Sequence, residues 1–449
     1  MSNPSAPFRN DQQTPTANPL GLGPNPGPAT LRAMGDWRLS TRAESLKPSS
    51  TLAVAQRARQ LKDAGEDVLA FAAGEPDFVT PEPIRKAAKD ALDRGLTHYA
   101  PTLGTPGARA AVARKLTSEN GIQDLTGKHV AIGVGGKQCL YNIFQALLSP
   151  GDEVLLPVPA WVSYRPQIEL SGGTVTELPT TPEAGFKITS DQLRAAITPR
   201  SRILVLNSPS NPCGTMYAPD QLRAIARVVA EAAASVAPNL VVVTDEIYEK
   251  ILYGNRTHLS PGSLPEIAGR TVTVNGLSKA YAMTGWRVGY AACPGAMGLK
   301  LIDAIDKVQS QTTSGIPTFI MPAIETALSG VCDAEVRAMT EAFAKRAKLI
   351  EVRMREIPGL SFPSPEGAFY VFADVSAHFG KRSPSGVAIS SALTFAEALL
   401  ADQKMAVIPG EDFGGCGDKC IRISFACGED QISRGMDRLA AFVGLLKSS

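Results

Sequence analysis

The chain has 449 residues, a formal net charge of +2, and 44% hydrophobic and 20% charged residues. That length leaves room for two to three ordinary domains with a sizeable core. The near-neutral charge argues against nucleic acid or an anionic membrane as partner, and no apolar run of about 18 residues is present to span a bilayer. Seven cysteines are scattered singly, an odd and dispersed set that fits reduced thiols in the cytoplasm rather than a disulfide frame. The nearest pair, Cys416 and Cys420, has none of the four histidines close in sequence, so both are expected to be ordinary loop thiols and no metal site is expected.

Residues 1–38 are rich in proline interspersed with Asn, Gln, Ser and Gly, and are expected to form a disordered extension. The stretch lacks the apolar segment of a secretory signal and the arginines of a transit peptide. From Leu39 the composition becomes globular. Lys47-Pro48-Ser49-Ser50-Thr51 opens a helix expected to run to about Ala64, and Asp67 to Phe71 reads as a strand. The strand ends in Gly74-Glu75-Pro76-Asp77-Phe78, where Gly74 is either a plain turn glycine or a place for backbone to approach a ligand. Thr80 and Pro81 predict the start of the next helix, with Thr80 as its cap. His98-Tyr99-Ala100-Pro101 continues on an extended segment.

His129 to Val134 is a predicted strand running into Gly135-Gly136-Lys137-Gln138 and then apolar residues at helical spacing. A strand, a glycine pair and a helix N-terminus make an anion cradle, with Lys137 at its mouth. Glu153 to Val158 is another strand, followed by Trp161, which either stacks on a flat ring or belongs to the core. Strand Ile203 to Asn207 leads to Asn211, and a helix from Pro219 to about Ala234 returns the chain. Leu240 to Thr244, with three consecutive valines, reads as a strand buried on both faces, as parallel sheets require. It delivers Asp245 and Tyr248. A carboxylate at such a strand end is costly without a partner, and a protonated pyridine nitrogen would serve.

Strand Thr271 to Val274 leads into Lys279, with Arg287 eight residues later between Gly285 and Gly289. Taken singly, this pair would be a solvated lysine and a surface arginine. Together they suit a molecule carrying an aldehyde, for a Schiff base with the amine, and a phosphate, for the guanidinium. Pyridoxal phosphate carries both. The strands alternate with helices, which implies a mostly parallel sheet whose strand ends share one edge. Lys137, Trp161, Asn211, Asp245, Tyr248, Lys279 and Arg287 all fall at or just after strand ends, and this shared placement is expected to bring them to one crevice. Beyond them come a long helical stretch from Pro317 to Glu356, an alternating strand from Pro365 to Phe372, short strands at Ala406–Pro409 and Ile421–Phe425, and a helix from Asp430 to Leu446. This part reads as a smaller α+β domain. Its Arg422 is either a solvated edge charge or a bidentate clamp for a carboxylate.

The segments AAGEPDFVTP, HYAP, GVGGKQ, PAWVSY, NSPSNPCGT, TDEIYE, NGLSKAYAMTGWRVGY, PEGAFYVF and IRISFA together resemble a known family. From about Leu39 to its end the chain resembles a class I pyridoxal-phosphate-dependent aminotransferase of fold type I. It is most similar to the bacterial Iβ aspartate aminotransferases, which include prephenate aminotransferases. The resemblance implies an α/β fold, with a large domain at 84–346 built on a mostly parallel sheet and a small α+β domain made of 39–83 and 347–449. It implies that Lys279 is the Schiff-base lysine and general base, that Asp245 pairs with the pyridine nitrogen, and that Arg287 and the Gly136 amide hold the phosphate. Tyr248 and Asn211 would hydrogen-bond the ring oxygen, and Trp161 would stack on the ring. Tyr99 would reach the phosphate of the other subunit of a homodimer. Arg422, supported by the Gly74 backbone, would hold the α-carboxylate of an amino-acid or 2-oxo-acid substrate. Lys137, with Lys47 and Thr51 beside it, would take a second carboxylate. Two positions depart from the family: Cys213, where threonine is common, and Gly276, where long-studied aspartate enzymes carry a phosphate-binding serine. The activity implied is transamination between aspartate and 2-oxoglutarate, with prephenate a further acceptor. The alternatives are another class I aminotransferase specificity or a pyridoxal-phosphate β-lyase. A cofactor-binding transcription regulator would need a helix-turn-helix domain, which is not seen.

Overall fold

The computed structural model describes residues 38–46 and 50–448. The expected disordered extension therefore lies almost wholly outside the described residues. Residues 38–46 carry α1 (Thr41–Ser45), capped by the Ser40 side chain, which accepts from the Ala43 amide at 3.2 Å.

Beyond Pro48 the chain opens with α2 (Ser50–Asp63) and a two-residue strand, β1 (Leu69–Ala70). Next come α3 (Glu82–Asp93), α4 (Pro106–Ser118) and the first long strand, β2 (Val130–Val134), which runs directly into α5 (Gly135–Leu147). The strands β3 (Glu153–Val158), β4 (Thr174–Pro179), β5 (Ser201–Asn207), β6 (Val241–Asp245), β7 (Thr271–Gly276) and β8 (Val288–Ala292) complete a seven-stranded sheet of order β2-β8-β7-β6-β5-β3-β4. β4, β3, β5, β6 and β7 run parallel, and β8 lies antiparallel between β7 and β2. Every residue of β6 is buried, so its β-branched run packs both faces at once, each valine contributing about 1.5–3 kcal/mol of apolar burial.

The C-terminal part holds β9 (Tyr370–Asp374), β10 (Lys381–Arg382), β11 (Met405–Ala406), β12 (Ile408–Pro409), β13 (Cys420–Ser424) and β14 (Lys447–Ser448). β13 is the middle strand of a three-stranded antiparallel sheet between β12 and β9, while β11 pairs parallel with β1. A large apolar cluster gathers Phe71, Phe343, Phe369, Phe395, Phe425 and Phe442 around this sheet. Among the described residues no helix is long and apolar enough to cross a membrane.

Several expectations change. The stretch from Pro317 to Glu356 is not one helix: it breaks into Met321–Ala327 and Asp333–Arg355. The break contains Gly330, whose φ of +89° belongs to the left-handed region that glycine enters without strain. The strand expected at Ala406–Pro409 splits at Val407 between two sheets. The strand at Pro365–Phe372 begins only at Tyr370, and its first four residues are all buried rather than alternating. Thr80 does not cap α3. Pro81 occupies that position without a side-chain cap, and the Thr80 hydroxyl instead donates to the Ala282 carbonyl at 2.7 Å and accepts from Trp286 Nε1 at 3.1 Å. The threonine thus fastens the start of α3 to the loop that carries Lys279.

Candidate active site

Three parallel strands end side by side. Asn207 of β5 lies in register with Asp245 of β6, and Asp245 with Val274 of β7, five residues before Lys279. Asn207 spans the gap: its Nδ2 donates to the Asp245 carbonyl at 3.0 Å, and its Oδ1 accepts from the Asn211 amide at 2.8 Å. The Asp245 carboxylate is buried. It accepts from the Tyr164 hydroxyl at 2.7 Å and from the Ile247 amide at 3.2 Å. Burial pushes its carboxyl up to about 6, against the pull of those two donors.

The Lys279 amine donates to the carbonyl of Gly74 and lies 5.7 Å from the Phe369 ring centroid and 6.0 Å from that of Tyr248. Burial brings the amine down to about 8; Glu75 opposes this, while Arg422 and Arg287 add to it. The chain is clasped at this point. Besides Gly74 and Thr80, Glu75 accepts from the Thr284 hydroxyl at 2.8 Å, and Asp77 forms a bidentate pair with Arg346 at 2.6 and 3.0 Å. The Gly74–Phe78 loop is therefore tied to the segment that carries the lysine and to Arg346.

The strand–glycine–helix junction takes the expected form. Gly135 opens α5 at a φ of +75°, and a Cβ there would lie 2.6 Å from Nη2 of Arg287, so the guanidinium rests against the helix start. Gly289 in β8 allows this approach, since a Cβ at that position would collide with the backbone of Gly135 and Gly136. Gly285 meets nothing within 4 Å, so its role is not one of space. Arg287 is a non-glycine residue at φ +55°, a conformation that costs on the order of 1–3 kcal/mol and is typically kept at functional positions. Gly276 is explained by space: a Cβ would lie 2.6 Å from the Val288 carbonyl, so a serine does not fit between β7 and β8. The exposed Lys137 holds its amine 5.0 Å from the centroid of the half-buried Trp161. Loss of water around that amine, and then the charge of Arg287, lower its pKa.

Arg422 is not an edge charge. It sits in the middle strand β13 and is 3% exposed. Nη1 donates to Asn211 Oδ1 at 2.9 Å and Nη2 to the Ala72 carbonyl at 3.0 Å, while the buried Nε has no partner among the described residues. Its guanidinium carbon lies 4.8 Å from the Tyr370 ring centroid and 5.3 Å from that of Phe413. Tyr248 is buried, and its hydroxyl is 2.9 Å from that of Tyr370.

The single chain thus links Lys279 to Gly74 and Arg422 to Asn211 directly, Asp245 to Asn211 through Asn207 and Tyr248 to Arg422 through Tyr370, with Gly136, Lys137, Trp161 and Arg287 at the α5 end. Tyr99 is not among them: it is 98% exposed, with no hydrogen-bond or ring partner among the described residues. Lys47 lies outside the described residues, and Thr51 falls in α2 where the backbone alone is described. Sequence reading missed Tyr164, Asn207 and Tyr370, although all three stand inside quoted motifs. It also missed a buried polar cluster behind Asp245. There Glu246, Glu249 and His258 bring ligand atoms within 4.8 Å of one another, and the Lys115 ammonium, bonded to Glu249, supplies positive charge.

The profile of class I and II aminotransferases matches residues 66–439, and the chain belongs to that family. It is a pyridoxal-phosphate-dependent aminotransferase, an enzyme that moves an amino group between an amino acid and a 2-oxo acid. The chain is 42% identical over 403 residues to a probable aspartate/prephenate aminotransferase of Rhizobium leguminosarum bv. phaseoli, covering 90% of this chain and 98% of the relative. The crystal structure of an aspartate aminotransferase from Rhizobium meliloti superposes with a TM-score of 0.86 at 38% identity, over 92% of this chain and 100% of that one. That of the Thermus thermophilus aspartate aminotransferase with maleate gives 0.82 at 40% identity, over 91% and 100%.

Proposed function

We propose that this enzyme transfers the amino group of L-aspartate to 2-oxoglutarate, giving oxaloacetate and L-glutamate, and that prephenate is a further acceptor. The observation that carries this reading is a pair of cations without counter-ions. Arg422 is buried and Lys137 is held over Trp161, and neither has an ion-pair partner among the described residues. A buried guanidinium with no anion is costly unless a ligand supplies one. A dicarboxylic substrate supplies two. The Thermus relative in its structure is accompanied by maleate, itself a dicarboxylate.

The residues present fit pyridoxal phosphate. Asp245 is a buried carboxylate, Lys279 a desolvated amine, and Arg287 rests on a helix N-terminus, and among the described residues none of the three forms an ion pair. Arg287 and the Gly136 amide would hold the phosphate, Asp245 the ring nitrogen, Trp161 the ring face, Tyr248 and Asn211 the ring oxygen, and Lys279 the aldehyde carbon. When bound, the cofactor supplies a carbonyl to receive the amino group and a sink for the electrons left when the Cα proton departs. Lys279 Nζ, brought towards neutrality by burial, takes that proton and later returns it. The Gly74 carbonyl orients the amine, and Arg422 fixes the α-carboxylate so that the Cα–H faces it. Asp245 keeps a proton on the ring nitrogen.

The same reading includes a homodimer in which Tyr99, exposed on its own chain, completes the partner's phosphate site. It divides the chain into a large domain, 84–346, and a small one, 39–83 with 347–449. The seven-stranded sheet lying within 130–292 and the three-stranded sheet within 370–424 support that division, with the helix Asp333–Arg355 running unbroken through the boundary. Seven unpaired thiols suit the cytoplasm.

The test is spectroscopic and kinetic. Purified enzyme with pyridoxal phosphate should show a near-ultraviolet or visible band that shifts on adding aspartate. Lys279→Ala should still bind the cofactor, without the covalent link, and lose transamination by several orders of magnitude, since nucleophile and base are one atom. Near-wild-type turnover in that variant would overturn the assignment.

A further inference from the structure

Tyr370 stands between two groups of the site and has so far been given no part in it. It opens β9, in register with Ser424 of β13, and is 1% exposed. Its hydroxyl lies 2.9 Å from that of Tyr248, and its ring packs edge-on to the Tyr248 ring at 87°. The face of the ring carries the Arg422 guanidinium at 4.8 Å. Gly74 lies close by as well, since a Cβ there would fall 2.8 Å from the Tyr370 hydroxyl. This is the glycine whose carbonyl accepts from Lys279. The backbone is held too: a Cβ at Gly214 would collide with the Tyr370 carbonyl.

Two facing phenols have two O–H groups and share one hydrogen bond. Among the described residues neither hydroxyl has another partner. One phenolic proton is therefore used between them, and the other is left to donate outside the pair. Burial raises the pKa of both phenols, so both protons stay in place at neutral pH. A phenol that accepts one hydrogen bond donates a stronger one.

We propose that Tyr370 is a positioning residue of the transamination site: it donates to Tyr248, so that the Tyr248 proton is directed at the cofactor's ring oxygen, and its ring supports the Arg422 guanidinium that receives the substrate carboxylate. One side chain thereby ties the cofactor end of the crevice to the substrate end. This rests on the roles given above to Tyr248 and Arg422.

The experiment is a pH titration of the holoenzyme's visible band in wild type, Tyr248→Phe, Tyr370→Phe and the double variant, with KM for aspartate alongside. Removing a donor from the ring oxygen penalises its anionic form, so the midpoint rises. Tyr248→Phe should raise it most. Tyr370→Phe, which loses one neutral hydrogen bond acting through Tyr248, should raise it by about half a unit to one unit, and the double variant should match Tyr248→Phe alone. Tyr370→Phe keeps the ring and should leave KM within about twofold, whereas Tyr370→Leu should raise it by about fivefold. If Tyr248→Phe moves the midpoint and Tyr370→Phe does not, or if the two shifts add in the double variant, the proposal is overturned while the site reading stands. If Tyr248→Phe itself moves nothing, the role of Tyr248 fails first.

Discussion

Asp245 shows what a single residue sacrifices in a site of this kind. Its folded carboxyl titrates at about 6 because burial opposes the charged form, whereas an unperturbed aspartate titrates near 3.9. A carboxyl raised on folding favours the folded state at low pH, and that contribution is lost as pH rises through about 6. At pH 8 the cofactor-free protein therefore carries a penalty on the order of 1–3 kcal/mol from this one group. Asp245→Asn should melt higher than wild type at pH 8 without cofactor, with the difference shrinking towards pH 5, and should lose transamination steeply when loaded. A lower melting point at pH 8 in calorimetry would contradict this. Lys279 is the complementary case: with its amine at about 8, cofactor capture by the apoprotein should speed up as pH rises towards 8 and level off beyond. Both residues were legible in the sequence because each follows a β-branched strand. Tyr164 was not, since its hydroxyl reaches Asp245 from a helix 81 positions earlier. Arg422 was left open between two readings because alternation in a short strand cannot tell an edge from a middle strand buried on both faces.

At the scale of elements, β2, β3, β5, β6 and β7 follow from apolar patterning with ends within a few residues of expectation, whereas the parallel β4 and the helices Pro106–Ser118, Gly295–Ser310 and Ala392–Gln403 were not expected. Nor was the antiparallel β8, because its residues Val288–Ala292 continue the Lys279–Arg287 motif and contain the glycine that seats α5. The helix break at Gly330 and the split at Val407 are likewise set by the layers they must reach, which local pattern does not record. The buried cluster behind Asp245 fixes the turn after β6 to α4. Lys115 pairs with Glu249, both almost fully buried, and Glu246 accepts from Ser260 at 2.7 Å, from His258 Nε2 at 2.9 Å and from Asn120 at 3.1 Å. Lys115→Met strands the Glu249 charge and should cost about 3–5 kcal/mol of unfolding free energy in urea. Replacing Glu249 by Gln in the same chain should restore part of that loss. Two independent losses that simply add would show that the pair is not the source of the stability.

For the whole molecule, the family was legible because an open sheet collects its strand ends on one edge, which places residues from 136 to 287 along that edge without any one motif being decisive. What lies beyond a single chain was legible only through the family resemblance. Tyr99 is the case in point, exposed on its own chain. Mixing Lys279→Ala and Tyr99→Ala protomers should recover about a quarter of wild-type activity, because half of the random dimers then hold one intact site. No recovery would place Tyr99 outside the partner's site. In the proposed function specificity belongs to this scale as well, since it would depend on two cations carried by distant segments, Arg422 in β13 and Lys137 at the start of α5. Lysine, a compact charge on a flexible stem, suits aspartate, glutamate and the bulkier prephenate better than a rigid fork would. The decisive measurement is kcat/KM for aspartate, prephenate and alanine in wild type and Lys137→Ala. Loss of a charge-assisted contact should lower the first two by about 1.5–3 kcal/mol, roughly 10- to 150-fold, and leave alanine nearly unchanged. An equal loss on all three would mean that Lys137 serves the cofactor or the fold, and the dicarboxylate assignment would fall.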